Sequence, residues 1–147
     1  MEANLIAKSL IIINAPISKV WDAFVNPEII KNYMFGTTVV SDWREGSPIV
    51  WKGVWEGKPY EDKGTILKIV PGKLLQYSHF SPLSNTADIP ENYHTVSIEL
   101  SVEGYQTQVW LSQDNNKSVA ERDHSQKMWD DMFERLKKVL EKKSWEQ

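Results

Sequence analysis

The stretch Ile13-NAPISKVWDAFVNPEIIKNYMF-Gly36 decides the fold. Within it Ile17, Val20, Trp21 and Phe24 stand at i, i+3, i+4 and i+7, one apolar face of a helix. Asn26-Pro27 cuts that helix, because proline brings no N–H to the ladder and its ring clashes with the preceding turn. The same residues open a second helix: Asn26 is a good N-cap, Pro27 a good first helical residue, and Glu28 a favourable first-turn charge. The spacing predicts a strand over 9–14, a helix over 17–25, a corner, and a short helix over 27–32.

From Thr37 onward the apolar period falls to two. Strands are predicted over 37–43, 49–55, 65–70, 73–80, 94–102 and 105–113. The turn residues Glu45-Gly-Ser-Pro48, Glu56-Gly-Lys-Pro59, Pro71-Gly72 and Glu103-Gly104 join them, with a polar loop over 81–91. Val96, Ile98, Leu100 and Val102 point one way and Thr95, Ser97, Glu99 and Ser101 the other, so one sheet face is wet. The chain then enters a long helix. Ser118 and Glu121 form a capping box, and Trp129, Met132, Phe133, Leu136 and Leu140 make a single apolar stripe. A sheet with one apolar face needs a cover, and the last helix alone has the length to cross it. The expected fold is α+β: a curved antiparallel sheet of about seven strands wrapped on a long C-terminal helix. The two short helices after the first strand prop one end of it. No repeat or linker interrupts the chain, so residues 1–147 read as one domain.

Composition narrows the function. A chain of 147 residues buries roughly two thirds of its unfolded surface and folds without staples. With no cysteine it forms no disulfide, thiolate metal site or cysteine nucleophile, which fits a reducing compartment. Met1-Glu2-Ala3-Asn4 carries no basic n-region, and the apolar run Leu10–Ile13 is too short for a signal core or a membrane span. A cytoplasmic location is expected. The net charge is −3, and the 17 Lys and Arg divide nine before residue 114 and eight after it, unlike the one-sided cluster of a nucleic-acid binder. Seven tryptophans imply a broad apolar interior, either plain core or the lining of a cavity.

Several segments together resemble a known family. They are Ala15-PISKVWDA-Phe24 with Asn26-Pro-Glu28, Glu45-Gly-Ser with Ile49-Val-Trp51, Gly64-TILKIV-Pro71, Lys73-Leu74, Thr107-QVW-Leu111 and Met128-Trp129. The set resembles the START-like helix-grip superfamily (SRPBCC). Within it the chain looks most like small proteins related to the C-terminal domain of the activator of heat-shock-protein ATPase. The resemblance spans roughly residues 8–142 and implies a helix-grip fold with an apolar cavity between sheet and long helix. Across the superfamily that cavity takes sterols, lipids, polyketides and other hydrophobic molecules. It also implies a second possibility, a heat-shock ATPase chaperone as partner and a place in the stress response. Met128 stands where the family commonly has glycine, and Pro48 lies in the third strand; both reshape the cavity.

The candidate site follows from these alternations. Arg122 and Ser125 continue the stripe of Trp129, Met132 and Phe133 toward the N-terminus of the helix, where an inward face turning polar marks either a cavity mouth or a solvated overhang. Ile49, Trp51 and Trp55 share one strand face, as core or as a stacking platform. Periodicity leaves the strand over 73–80 open, while the family register turns Gln76 and Ser78 into the cavity. His94 is in register with Val96 and Ile98 and brings a titratable ring to the cavity end. Glu61-Asp62 and Asp130-Asp131 are expected on solvent faces. No metal-ligand spacing, nucleophile motif or phosphate loop occurs, so no metal, cofactor or catalytic residue is assigned.

The leading reading is binding of a small hydrophobic molecule, lipid, aromatic or polyketide-like. A chaperone-associated interaction module comes second, and a cyclase- or hydratase-like enzyme with His94 or a cavity carboxylate as base comes third. Trp43, Trp110 and Trp145 are possible dimer contacts, leaving monomer and homodimer both open.

Overall fold

A computed structural model describes residues 5–141, apart from the side chain of Trp55. The order is β1 (Leu5–Ile13), α1 (Ile17–Val25), α2 (Pro27–Tyr33), β2 (Thr38–Ser41), β3 (Pro48–Trp55), β4 (Lys58–Val70), β5 (Leu74–His79), β6 (His94–Glu103), β7 (Gln106–Asn116) and α3 (Val119–Glu141). Two 3₁₀ turns, Pro82–Ser84 and Pro90–Asn92, occupy the polar loop. The strands form one antiparallel sheet in the order β1-β7-β6-β5-β4-β3-β2.

Its concave face carries the apolar half of each alternation. Ile11 and Ile13, Val109 and Leu111, Val96 and Ile98, Leu75 and Tyr77, Ile66, and Ile49 and Trp51 are all buried there. The stripe Trp129, Met132, Phe133, Leu136 and Leu140 of α3 closes over them. Burying a side chain such as Phe133 contributes roughly 1.5–3 kcal/mol, so this layer dominates the stability. The corner between α1 and α2 forms as the sequence predicts: the Asn26 side chain accepts from the Glu28 N–H at 3.0 Å. It lets Phe24 of α1 sit edge-on to both Tyr33 of α2 and Phe133 of α3, each with ring centres 6.4 Å apart.

The sheet bends at β4. Its register against β5 slips between Ile66 and Lys68. Just before the slip, the strands approach so closely that a Cβ on Gly64 would lie 1.7 Å from the Ser78 carbonyl oxygen. Only a glycine fits such a crossing.

Three expectations need correcting. Strand β4 begins at Lys58 rather than Thr65, because the charges of Glu61-Asp62-Lys63 disguise a paired strand. Gln76 and Ser78 lie on the convex face. Leu75 and Tyr77 take the concave one, Gln76 bonds Ser97 at 3.0 Å, and the Ser78 hydroxyl accepts from the Thr65 N–H at 2.9 Å beside the bulge. Val102 is 64% exposed, because the β6–β7 hairpin runs on past the end of β5.

The outer edge of β1 is held by α3. The Lys8 N–H donates to Gln126 at 3.1 Å, Lys137 donates to the Ile12 carbonyl at 2.8 Å, and Ser9 donates to Asp130. Trp145 lies outside the described residues.

Candidate functional site

Two neighbouring features occupy the concave face between the sheet and the helices. The first is an aromatic pocket whose walls include Phe24, Tyr33, Met34, Trp43, Trp51 and Tyr77. Its free volume is about 20 Å³, enough for one water molecule. The ligand-sized interior that the resemblance implies is therefore not open in this structure. The edge-to-face stack of Phe24, Phe133 and Trp129 fills the space beneath α3. Burial pushes the hydroxyl of Tyr33 well above its ordinary range, with Tyr77 beside it adding to the effect, and burial also raises Tyr77. Both phenols are neutral, and Tyr33 donates to the Ala23 carbonyl at 2.7 Å.

The second feature is polar and begins behind Trp51. The two-residue turn Glu56-Gly57 pairs Trp55 with Lys58, and counting outward sets Trp51 opposite Asp62. Asp62 therefore shares the concave face with Trp51. Its Oδ2 lies 2.9 Å from Nε2 of His79, while Oδ1 is buried with no hydrogen-bond partner among the described residues. The Trp51 ring packs edge-on to His79 and tilted to Tyr77, at 5.0 Å each. His79 stacks on His94 at 6.4 Å. His94 donates from Nδ1 to the Asp114 carbonyl at 2.7 Å, and its Nε2 lies 3.5 Å from Glu121 in the first turn of α3. Carboxylate, imidazole, imidazole and carboxylate thus run in a row across the mouth of the grip.

The residues singled out from sequence separate accordingly. Trp51 and His94 meet in this region, with Ile49 and Ile98 on the pocket wall and Val96 buried nearby. Trp129, Met132 and Phe133 are buried beneath α3. Ser125 is buried too, but its hydroxyl is engaged with Gln113 and Asn116. Arg122 is half-buried and pairs with the neighbouring Asp123 at 3.1 Å, and the polar group of α3 that meets His94 is Glu121. The Trp55 side chain lies outside what is described. Asp62, expected on a solvent face, His79, of uncertain face, and Glu121, read only as part of the capping box, are the members of the polar row that periodicity did not assign to the site. The Glu56-Gly57 hairpin was the signal that places Asp62. Trp43 is half-buried against the core, whereas Trp110 is 45% exposed on the convex face.

Among the described residues no group of His, Asp and Glu is placed to hold a metal ion, and no helix is long and apolar enough to cross a membrane.

A curved seven-stranded sheet gripping one long helix, with an aromatic interior behind a polar mouth, defines a helix-grip protein of the START-like class. More narrowly, the chain belongs to the Activator of Hsp90 ATPase homolog 1-like protein family, whose profile matches residues 14–141. Among solved structures, ChR145 from Cytophaga hutchinsonii is 61% identical with a TM-score of 0.84, covering 96% of this chain and 97% of that one. The Aha1 dimer from Colwellia psychrerythraea shares the fold at 21% identity and a TM-score of 0.73, covering 95% and 97% of the two chains. CalU16 from Micromonospora echinospora does so at 19% and 0.71, covering 95% and 87%. No curated protein matches the chain.

Proposed function

We propose that the chain works as one cytoplasmic domain that binds a small, partly aromatic hydrophobic molecule inside the grip. The row Asp62, His79, His94 and Glu121 beside the aromatic pocket carries this reading. Packing alone is served by apolar side chains at inward positions; a few convergent polar groups beside an apolar pocket are a mark of binding sites. With about 20 Å³ free, the molecule enters by displacing side chains rather than by filling a void. Met34 and Trp43 are half-buried at the pocket wall, and Trp43 holds a left-handed backbone with φ of 56°, a costly conformation for a bulky residue. They form the movable wall.

Native mass spectrometry of the freshly purified protein, followed by extraction of anything bound, tests this. The expected result is a co-purified apolar or aromatic molecule, lost when Trp51 is replaced by alanine in a chain that still folds. A clean apo mass, with no rise in Tm on adding apolar aromatics, would sink the reading.

A second reading, a module that docks on a heat-shock ATPase, is favoured by the small interior and by an open groove of about 690 Å³ at the end of β5 and β6. Leu74, Val102 and Trp110 supply its apolar surface and Lys73 and Glu99 its charge. The family takes its name from such an activator. This reading brings with it the stress response and, since the Colwellia relative was solved as a dimer, a homodimer. It predicts that Trp110→Ala weakens stimulation of a purified heat-shock ATPase while Trp51→Ala does not.

A further inference from the structure

We propose that Asp62 Oδ1, next to the ring of His79, receives the hydroxyl of a neutral aromatic alcohol whose ring lies against Trp51 and Tyr77. The inference rests on the ligand-binding reading above and gives its occupant a chemical class. Asp62 has two oxygens, and only Oδ2 is engaged, by His79. Oδ1 is removed from solvent and accepts nothing from the described residues. A buried carboxylate oxygen is costly until a donor reaches it. Because Asp62 stands opposite Trp51 in the β3–β4 register, a donor arriving there brings its body against the Trp51, Tyr77 and His79 rings.

The surrounding charges select the kind of donor. Asp62 of β4, His79 of β5, His94 of β6 and Glu121 of α3 all face this region. An anionic head would lie among two carboxylates, and a cationic head would have to give up its hydration for a largely enclosed, mainly aromatic setting. A neutral hydroxyl avoids both and needs only the free acceptor. The three ring walls favour an aromatic body over an alkyl chain. A flat ring also displaces least in an interior with so little free space.

The test uses the whole chain and four probes: naphthalene, 2-naphthol, 2-naphthoate and 2-naphthylmethylammonium, titrated while backbone amide shifts are followed by NMR. Although 2-naphthol is the less hydrophobic of the two uncharged probes, it is expected to bind about tenfold tighter than naphthalene, with the largest shifts around Asp62 and His79. Asp62→Leu should reduce 2-naphthol affinity about tenfold more than it reduces naphthalene affinity. If that variant does not fold, the ranking on the wild-type chain decides. Equal or tighter binding of naphthalene, or preference for either ion, overturns the inference and leaves the ligand-binding reading standing. Binding by none of the four probes removes both.

Discussion

The indole Nε1 of Trp129 donates to Oε1 of Gln113 at 2.7 Å, and this bond is the end of a longer chain. Gln113 donates in turn to Ser125 at 3.2 Å, and Ser125 to Asn116 at 3.4 Å. The Asn116 amide donates to the carbonyls of Leu5 and Gln113 at 2.9 and 3.0 Å. Three buried polar side chains and one indole thus fix α3 to β7 and β1 at a set height above the sheet.

Gln113→Leu is expected to destabilise by roughly 1–3 kcal/mol, since it strands the buried Trp129 N–H and leaves the Ser125 hydroxyl with Asn116 alone. Urea denaturation of the two proteins measures it. A loss below about 0.5 kcal/mol would mean that the network contributes little beyond shape.

Two glycines should respond differently to alanine. At Gly64 the new Cβ meets the Ser78 carbonyl, a backbone atom that cannot move aside, at 1.7 Å. At Gly53 it meets the Tyr60 ring, 2.6 Å from the hydroxyl end, which can turn away by giving up its 2.8 Å bond to Thr37. Thermal melts should show Gly64→Ala losing more than about 3 kcal/mol or failing to fold, and Gly53→Ala losing less. The reverse order would contradict the described β4–β5 crossing.

The first turn of α3 is capped in both directions. The Ser118 hydroxyl accepts from the Glu121 N–H at 3.1 Å, and the Glu121 carboxylate accepts from the Lys117 N–H at 3.1 Å. Ser118→Ala should cost about 1 kcal/mol, and Ser118→Gly less. Equal stability of all three proteins in chemical denaturation would show that the turn frays regardless.

Alkaline pH should unfold the protein through its buried phenols. Burial raises Tyr33 and Tyr77 above the value of 10.0 that each has in an unfolded chain. Between that value and their folded ones the native state holds protons that the unfolded state has released. Their contribution is complete below about pH 10 and is lost as the pH climbs beyond it. Urea midpoints at rising alkaline pH should fall less steeply for Tyr77→Phe than for the wild type. Parallel slopes would exclude Tyr77 from the transition.

Much of this molecule is legible in its sequence, and the places where reading failed share a cause. The corner at Asn26-Pro27, the period-two strands other than the first half of β4, and the Trp129–Leu140 stripe rest on strong local signals and appear where expected. The faces of Gln76 and Ser78 do not, because both faces of β5 mix polar and apolar residues and the choice depends on pairing with β4 and β6. Asp62 was lost in the same way: a charge beside two others reads as solvent until the hairpin register sets it opposite Trp51. Arg122 was left open between a cavity mouth and a solvated overhang, and its guanidinium is taken up by Asp123 of its own helix. The candidate site is built from residues whose placement depends on long-range pairing, whereas the fold is written in local ones.

The bonds from Gln126 and Lys137 to the margin of β1 carry a consequence for how the protein behaves when crowded. An open sheet ends in backbone donors and acceptors that another extended chain can extend, the usual seed of fibres and tangled aggregates. Here side chains from the protein's own last helix occupy those positions on β1. Loosening α3 would therefore do two things at once, uncovering the interior and releasing a sticky margin. A molecule that pries the grip open from the Trp43 side, leaving α3 in place, gains entry without that hazard.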